Sequence, residues 1–120
     1  LKPGGKSLLE PHTFDAVYEQ GNQPATWYSA ENELFAEEPH LCLMESFWNE
    51  DLSVAIERYI IVNADSGEVT RYSSSTKAYE NDELVEMLAQ AGFDNPDFHP
   101  SLRGTPDGKM TQLQVLIAQK

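Results

Sequence analysis

Cysteine is nearly absent: Cys42 stands alone, which excludes an internal disulfide and any thiolate-rich metal site and makes a reducing cytoplasm the expected compartment. Basic residues are scarce as well. Eight Lys and Arg stand against twenty Asp and Glu, a formal net charge of −12. That balance repels phosphate backbones and anionic membrane surfaces, so neither nucleic acid nor a membrane is expected as a partner. Long apolar runs are missing too. Stretches such as Tyr59-Ile60-Ile61-Val62 are far too short to cross a bilayer, and the N-terminus does not resemble a secretion signal.

The acids are scattered rather than gathered into a tail, and 40% of the residues are apolar. The chain should therefore fold, and at 120 residues it is one domain or less, with a modest core. It opens on the turn sequence Leu1-Lys2-Pro3-Gly4-Gly5-Lys6, followed at once by Ser7-Leu8-Leu9. Such an opening reads as that of an excised piece.

Lys6 to Glu10 fits a short buried strand ended by Pro11, which cannot donate to a ladder. Thr13 to Glu19 can cap and form a short helix with Phe14, Val17 and Tyr18 on one face, stopped by Gly21-Asn22. From Ala25 to Thr76 the pattern becomes strands separated by turns, expected at Thr26–Ser29, Leu41–Trp48, Val54–Asn63 and Glu68–Ser75. Short connections favour an antiparallel meander. In Val54–Asn63 both faces carry large apolar groups in the second half, so that half should be covered on both sides. The half bearing Glu57 and Arg58 should stay partly wet.

Helical spacing is clear at Asn81–Ala91, where Leu84, Met87, Leu88 and Ala91 recur three or four residues apart. Glu80, Asp82 and Glu83 suit its N-terminal dipole and Gly92 a left-handed cap. Phe93 to Phe98 fits a strand, Pro100 to Lys109 a loop, and Gln112–Ala118 a final strand.

Three of these pieces, in order, resemble class I S-adenosylmethionine-dependent methyltransferases. Leu1-Lys2-Pro3-Gly4-Gly5-Lys6 and the apolar strand after it resemble the turn leading into the fifth sheet strand of that family. Tyr79-Glu80-Asn81-Asp82-Glu83-Leu84, running on to Ala91-Gly92-Phe93, resembles the helix before the sixth strand, and Val115-Leu116-Ile117-Ala118-Gln119-Lys120 resembles the terminal seventh.

The resemblance implies an α+β fragment with one clear helix. It would be the C-terminal portion of a Rossmann-like methyltransferase sheet, residues 1–11 and 79–120, carrying an inserted meander over residues 25–76. The fifth, seventh and sixth strands would form a small sheet in that order, with the seventh antiparallel to its neighbours. S-adenosylmethionine would be the cofactor of the intact protein and a small molecule its methyl acceptor. The chain departs from the family in having no Gly-x-Gly-x-Gly turn and no acidic residue ending a second strand to hold a ribose. The piece alone is thus expected to bind no cofactor tightly and to be inactive. Its fifth strand would lack a partner, and an apolar strand edge is a template for another chain, so self-association, as a dimer, is expected.

Methyl transfer is helped chiefly by proximity and alignment, with a base only where the acceptor must lose a proton. His12 follows the first strand at the end where open α/β sheets bind ligands, and is either a base or a surface-turn histidine. Phe14 could wall the pocket or pack in the core. Trp27, Tyr28, Trp48 and Tyr59 could line an acceptor pocket, with packing of the meander as the alternative. Arg58 could bind an acceptor carboxylate, although a cross-strand ion pair with Glu45 suits it better.

His12, His40 and His99 are too far apart to suggest a metal, and Asp65-Ser66-Gly67 fits a hairpin turn better than a calcium loop. A second reading is a free-standing β-rich module that binds a ligand or dimerises through its aromatic meander.

Overall fold

The structure is a computed structural model and describes residues 2–102 and 113–120. Its elements run β1 (Lys6–Leu9), α1 (Phe14–Gly21), β2 (Thr26–Ala30), β3 (His40–Asn49), β4 (Val54–Asn63), β5 (Val69–Lys77), α2 (Asn81–Gln90), β6 (Asp94–His99) and β7 (Val115–Gln119). The described residues make an α+β fold with two helices and two antiparallel sheets. Helix α1 lies where the Thr13–Glu19 pattern allows a short helix, its entry fixed by the Thr13 hydroxyl accepting from the Ala16 amide at 3.1 Å. Of the expected final strand, Gln112 lies outside the described residues, as does most of the loop before it. Two compact units are present, residues 1–17 with 78–120, and residues 18–77.

In the first unit the strand order is β1-β7-β6, with β7 antiparallel to both neighbours. This is the order expected for these three segments. Val115, Leu116 and Ala118 of β7 are buried, as a central strand requires, while Leu8 and Leu9 on β1 are 54% and 46% exposed. Helix α2 is closed by Gly92 at φ +87° and by the Phe93 amide donating to the Leu88 carbonyl at 2.8 Å, a left-handed cap that suits glycine. Its apolar stripe is only half covered: Leu84 and Leu88 are partly buried, but Met87 is 46% exposed. Strand β6 tolerates Pro96 because its pairing with β7 shifts between Asp94 and Asp97, around Asn95 at φ 53°.

In the second unit β2, β3, β4 and β5 pair in chain order as an antiparallel meander. The β4–β5 turn is built by Asn63, whose Oδ1 accepts from the amides of Asp65 and Ser66, and by Gly67 at φ +72°. Residues directly opposite each other share a face. One face carries Trp27, Leu43, Phe47, Ile56 and Ile60; the other carries Tyr28, His40, Cys42, Trp48, Ala55 and Ile61.

The core lies on that second face, where His40, Cys42, Ala55 and Ile61 are all buried. Coverage of β4 on both sides, expected for its second half, is not found: Ile61 is buried, but Ile60 and Val62 on the first face remain partly open. The cause is that the coverers sit on one side only. Gly21 packs against Trp48 and Ala55, and Phe35 against Tyr59 and Tyr72, all on the second face.

Candidate functional site

The most elaborate polar arrangement among the described residues is on the second face of the meander, where the segment between β2 and β3 folds back. Tyr28 and His40 occupy nearby positions on paired strands, because Tyr28 faces Cys42 and Ala30 faces His40. Glu33 reaches between them. Its carboxylate accepts from the Tyr28 hydroxyl at 2.7 and 2.8 Å and from His40 Nε2 at 2.8 Å. His40 Nδ1 meets the Glu38 carbonyl at 2.7 Å. A carbonyl can only accept, so Nδ1 carries a proton, and a carboxylate at Nε2 demands a second.

This geometry favours the imidazolium form of His40, which is only 2% exposed and has Glu33 to answer its charge. The hydrogen bond to Glu33, then that to the Glu38 carbonyl, raises the His40 pKa against the opposing effect of burial. The same contact, aided by Tyr28, lowers that of Glu33. Tyr28 is pushed upward, first by its bond to the carboxylate and then by burial. With both ring nitrogens committed, His40 clamps the segment and is not placed to take a proton from a ligand.

Beside it, Phe35 lies 5.1 Å from the Tyr59 ring and 5.5 Å from that of Tyr72. Tyr59 donates to Glu57, which also accepts from Gln20, and the Glu57 contact pushes the phenol up to about 12. A recess of about 460 Å³ is lined by Glu33, Phe35, Glu38 and Asn63 among others. Among the described residues no group of three or more His, Cys, Asp and Glu is placed to hold a metal ion, and no helix is long and apolar enough to cross a membrane.

The sequence candidates divide between faces and units. Tyr28, Tyr59 and Trp48 share the second face; Trp48 meets Tyr18 edge-on at 5.1 Å and donates to Glu50 at 2.6 Å. Trp27 and Arg58 are on the first face, with Trp27 67% exposed. Arg58 and Glu45 are directly opposed in register, but the expected ion pair is not among those of the described residues. The guanidinium instead lies 4.5 Å over the Phe47 ring. An aromatic face on the same strand pair competes with a carboxylate that water solvates well.

His12 and Phe14 belong to the first unit. His12 is exposed just after β1, its backbone bridged to Leu113, and Phe14 opens α1 half-buried. Glu33 and His40 were missed as a pair by the sequence reading. The available signal was an isolated His at the start of an apolar strand, preceded by a Glu-rich connection.

The glycine turn that leads into β1 spends its amides internally: Gly4 donates to the Lys120 carbonyl and Gly5 to that of Lys2, both at 2.9 Å.

No protein-family model and no curated protein sequence matches the chain. Solved structures do. The CcbJ methyltransferase from Streptomyces caelestis superposes with a TM-score of 0.60 at 17% identity, covering 99% of this chain and 48% of that one. An S-adenosylmethionine-dependent methyltransferase from Clostridium acetobutylicum does so with a TM-score of 0.63 at 13% identity, covering 99% and 46%. At these identities the likeness is one of fold. The chain spans about half the length of each.

Proposed function

We propose that this chain is the acceptor-side portion of an S-adenosylmethionine-dependent methyltransferase of class I, acting on a small molecule, with the cofactor held by the rest of the protein. The observation that carries this reading is the β1-β7-β6 order with an antiparallel β7 between its neighbours. The fold shared with about half of two methyltransferases over nearly all of this chain supports it. In this reading the sheet is continued beyond β1 by strands of the rest of the protein, and the meander is an insertion that serves acceptor binding.

The work of these residues is to hold and orient the acceptor, and His12 takes the proton where the acceptor must lose one. Without the cofactor half the chain is inactive. A net charge of −12 favours a small acceptor over nucleic acid. Among the described residues the outer edge of β1 is unpaired and its leucines are exposed; in the isolated chain a second copy covers it. The cytoplasm is the proposed compartment.

The test is to join the chain to the segment encoded before it and to assay transfer of labelled methyl groups to a panel of small amines, phenols and acids. Transfer that falls about a hundredfold or more in His12→Ala supports the reading. An upstream frame with no glycine-rich turn, or a joined protein that transfers nothing, overturns it.

A further inference from the structure

The first face of the meander separates charge in a way the composition does not foretell. The net charge of the chain is −12. Yet on this face of β2–β5 the register places Arg58, Arg71 and Lys77 against a single acid, Glu45, three positive groups to one negative. Arg58 lies opposite Ser73 and Arg71 opposite Ile60. The two arginines are thus diagonal neighbours, roughly 7–8 Å apart at the backbone and within reach of one shared anion. Neither forms an ion pair with an acid among the described residues. Between them opens a recess of about 350 Å³, with Ile56, Ile60 and Ser73 in its lining. That volume lies in the range of small-molecule sites, and the combination of apolar walls with a few converging polar groups is their usual composition.

We propose that this recess binds a small molecule with a carboxylate on an apolar body. The guanidiniums of Arg58 and Arg71 take the carboxylate oxygens, and Ile56 and Ile60 take the body. Arg58 rests above the Phe47 ring at 4.5 Å on the β3 side, and its guanidinium swings toward Arg71 on β5 to share the carboxylate. The role of this molecule as the methyl acceptor rests on the methyltransferase reading; its binding does not.

Binding is tested on the 120-residue chain by NMR titration with 3-phenylpropionate and with its uncharged amide, 3-phenylpropionamide. The carboxylate is expected to shift the backbone amides of residues 56–60 and 71–73 and to bind at least fivefold more tightly than the amide. Arg71→Gln, at an exposed position, should weaken the carboxylate about tenfold, and Arg71→Lys less, since it keeps the charge and loses the fork. Equal binding of acid and amide, unchanged affinity in Arg71→Gln, or shifts that gather elsewhere each overturn the proposal. In the joined enzyme, a raised KM for a carboxylate acceptor in Arg71→Gln, with a neutral acceptor unaffected, assigns the site to the acceptor; an unchanged KM overturns that role. Because the titration needs no cofactor, its failure is distinct from failure of the methyltransferase reading.

Discussion

Gly21 offers a direct trial of how the second unit is packed. It is buried at the end of α1, and a Cβ placed there would meet the Phe47 carbonyl at 3.1 Å and the Cβ atoms of Ala55 and Trp48 at 3.2 Å. Two of these neighbours are strand atoms tied by the β3–β4 ladder and the third is a backbone oxygen, so none can swing away as a long side chain would. Overpacking of this kind costs ~1–3 kcal/mol. Alanine is the better helix former by about 1 kcal/mol in a helix interior, but Gly21 is the last helical residue and recovers only part of that.

Gly21→Ala should therefore destabilise by about 1–2 kcal/mol, and Gly21→Val by more. At roughly 3–5 °C per kcal/mol for a chain of this length, alanine lowers the Tm by about 3–10 °C. Trp48 touches the site, so its fluorescence follows the transition and its folded emission should shift. Gly67→Ala is the control: nothing lies within 4 Å of a Cβ there, and its cost comes from φ +72° alone, leaving Trp48 emission unchanged. A Gly21→Ala variant as stable as the parent or more so would mean that helix propensity outweighs packing, and the reasoning fails.

The His40–Glu33 clamp makes stability depend on pH in two directions. The His40 pKa is raised above 6.5, so its contribution is full below about that pH and is lost as pH climbs through the higher folded value. That of Glu33 is lowered below 4.5, so its contribution is full above that pH and is lost on acidification. Urea midpoints should plateau between these limits and fall on the alkaline side, with the alkaline fall absent in His40→Gln; a His40 ring that titrates below 6.5 by NMR contradicts this. Leu116→Ala, at the 1% exposed centre of β7, should cost ~2–5 kcal/mol in urea unfolding, and a loss under 1 kcal/mol would deny it a core position. Leu8→Lys on the free edge of β1 should convert a self-associated chain to monomer in light scattering, whereas unchanged mass in the variant would place the association elsewhere.

The ladder positions were legible where alternation and turn chemistry agreed. Strand β4 runs over the expected Val54–Asn63 because period-two apolar positions end on an Asx turn. Helix α2 was equally plain, since its spacing, acidic first turn and Gly92 all point the same way.

Features that depend on distant partners could not be read. Gly21 looks like a helix stop in sequence, yet it ends the helix from within because a carbonyl from β3 leaves no room for a side chain. The Glu33–His40–Tyr28 cluster needs the segment between β2 and β3 to fold over one face, which no local pattern encodes. Register correctly set Arg58 opposite Glu45, but register fixes Cα positions and not where a long side chain rests, and this one rests on Phe47. Trp27 reads as a buried aromatic by type and is two-thirds exposed because nothing in the second unit covers that face.

The central proposal is that the cofactor is held outside these residues. Calorimetric titration of S-adenosylmethionine tests it most directly, into the 120-residue chain and into the same chain joined to its upstream segment. The account predicts no tight binding to the first and stoichiometric binding to the second. Tight binding to the chain alone would contradict it.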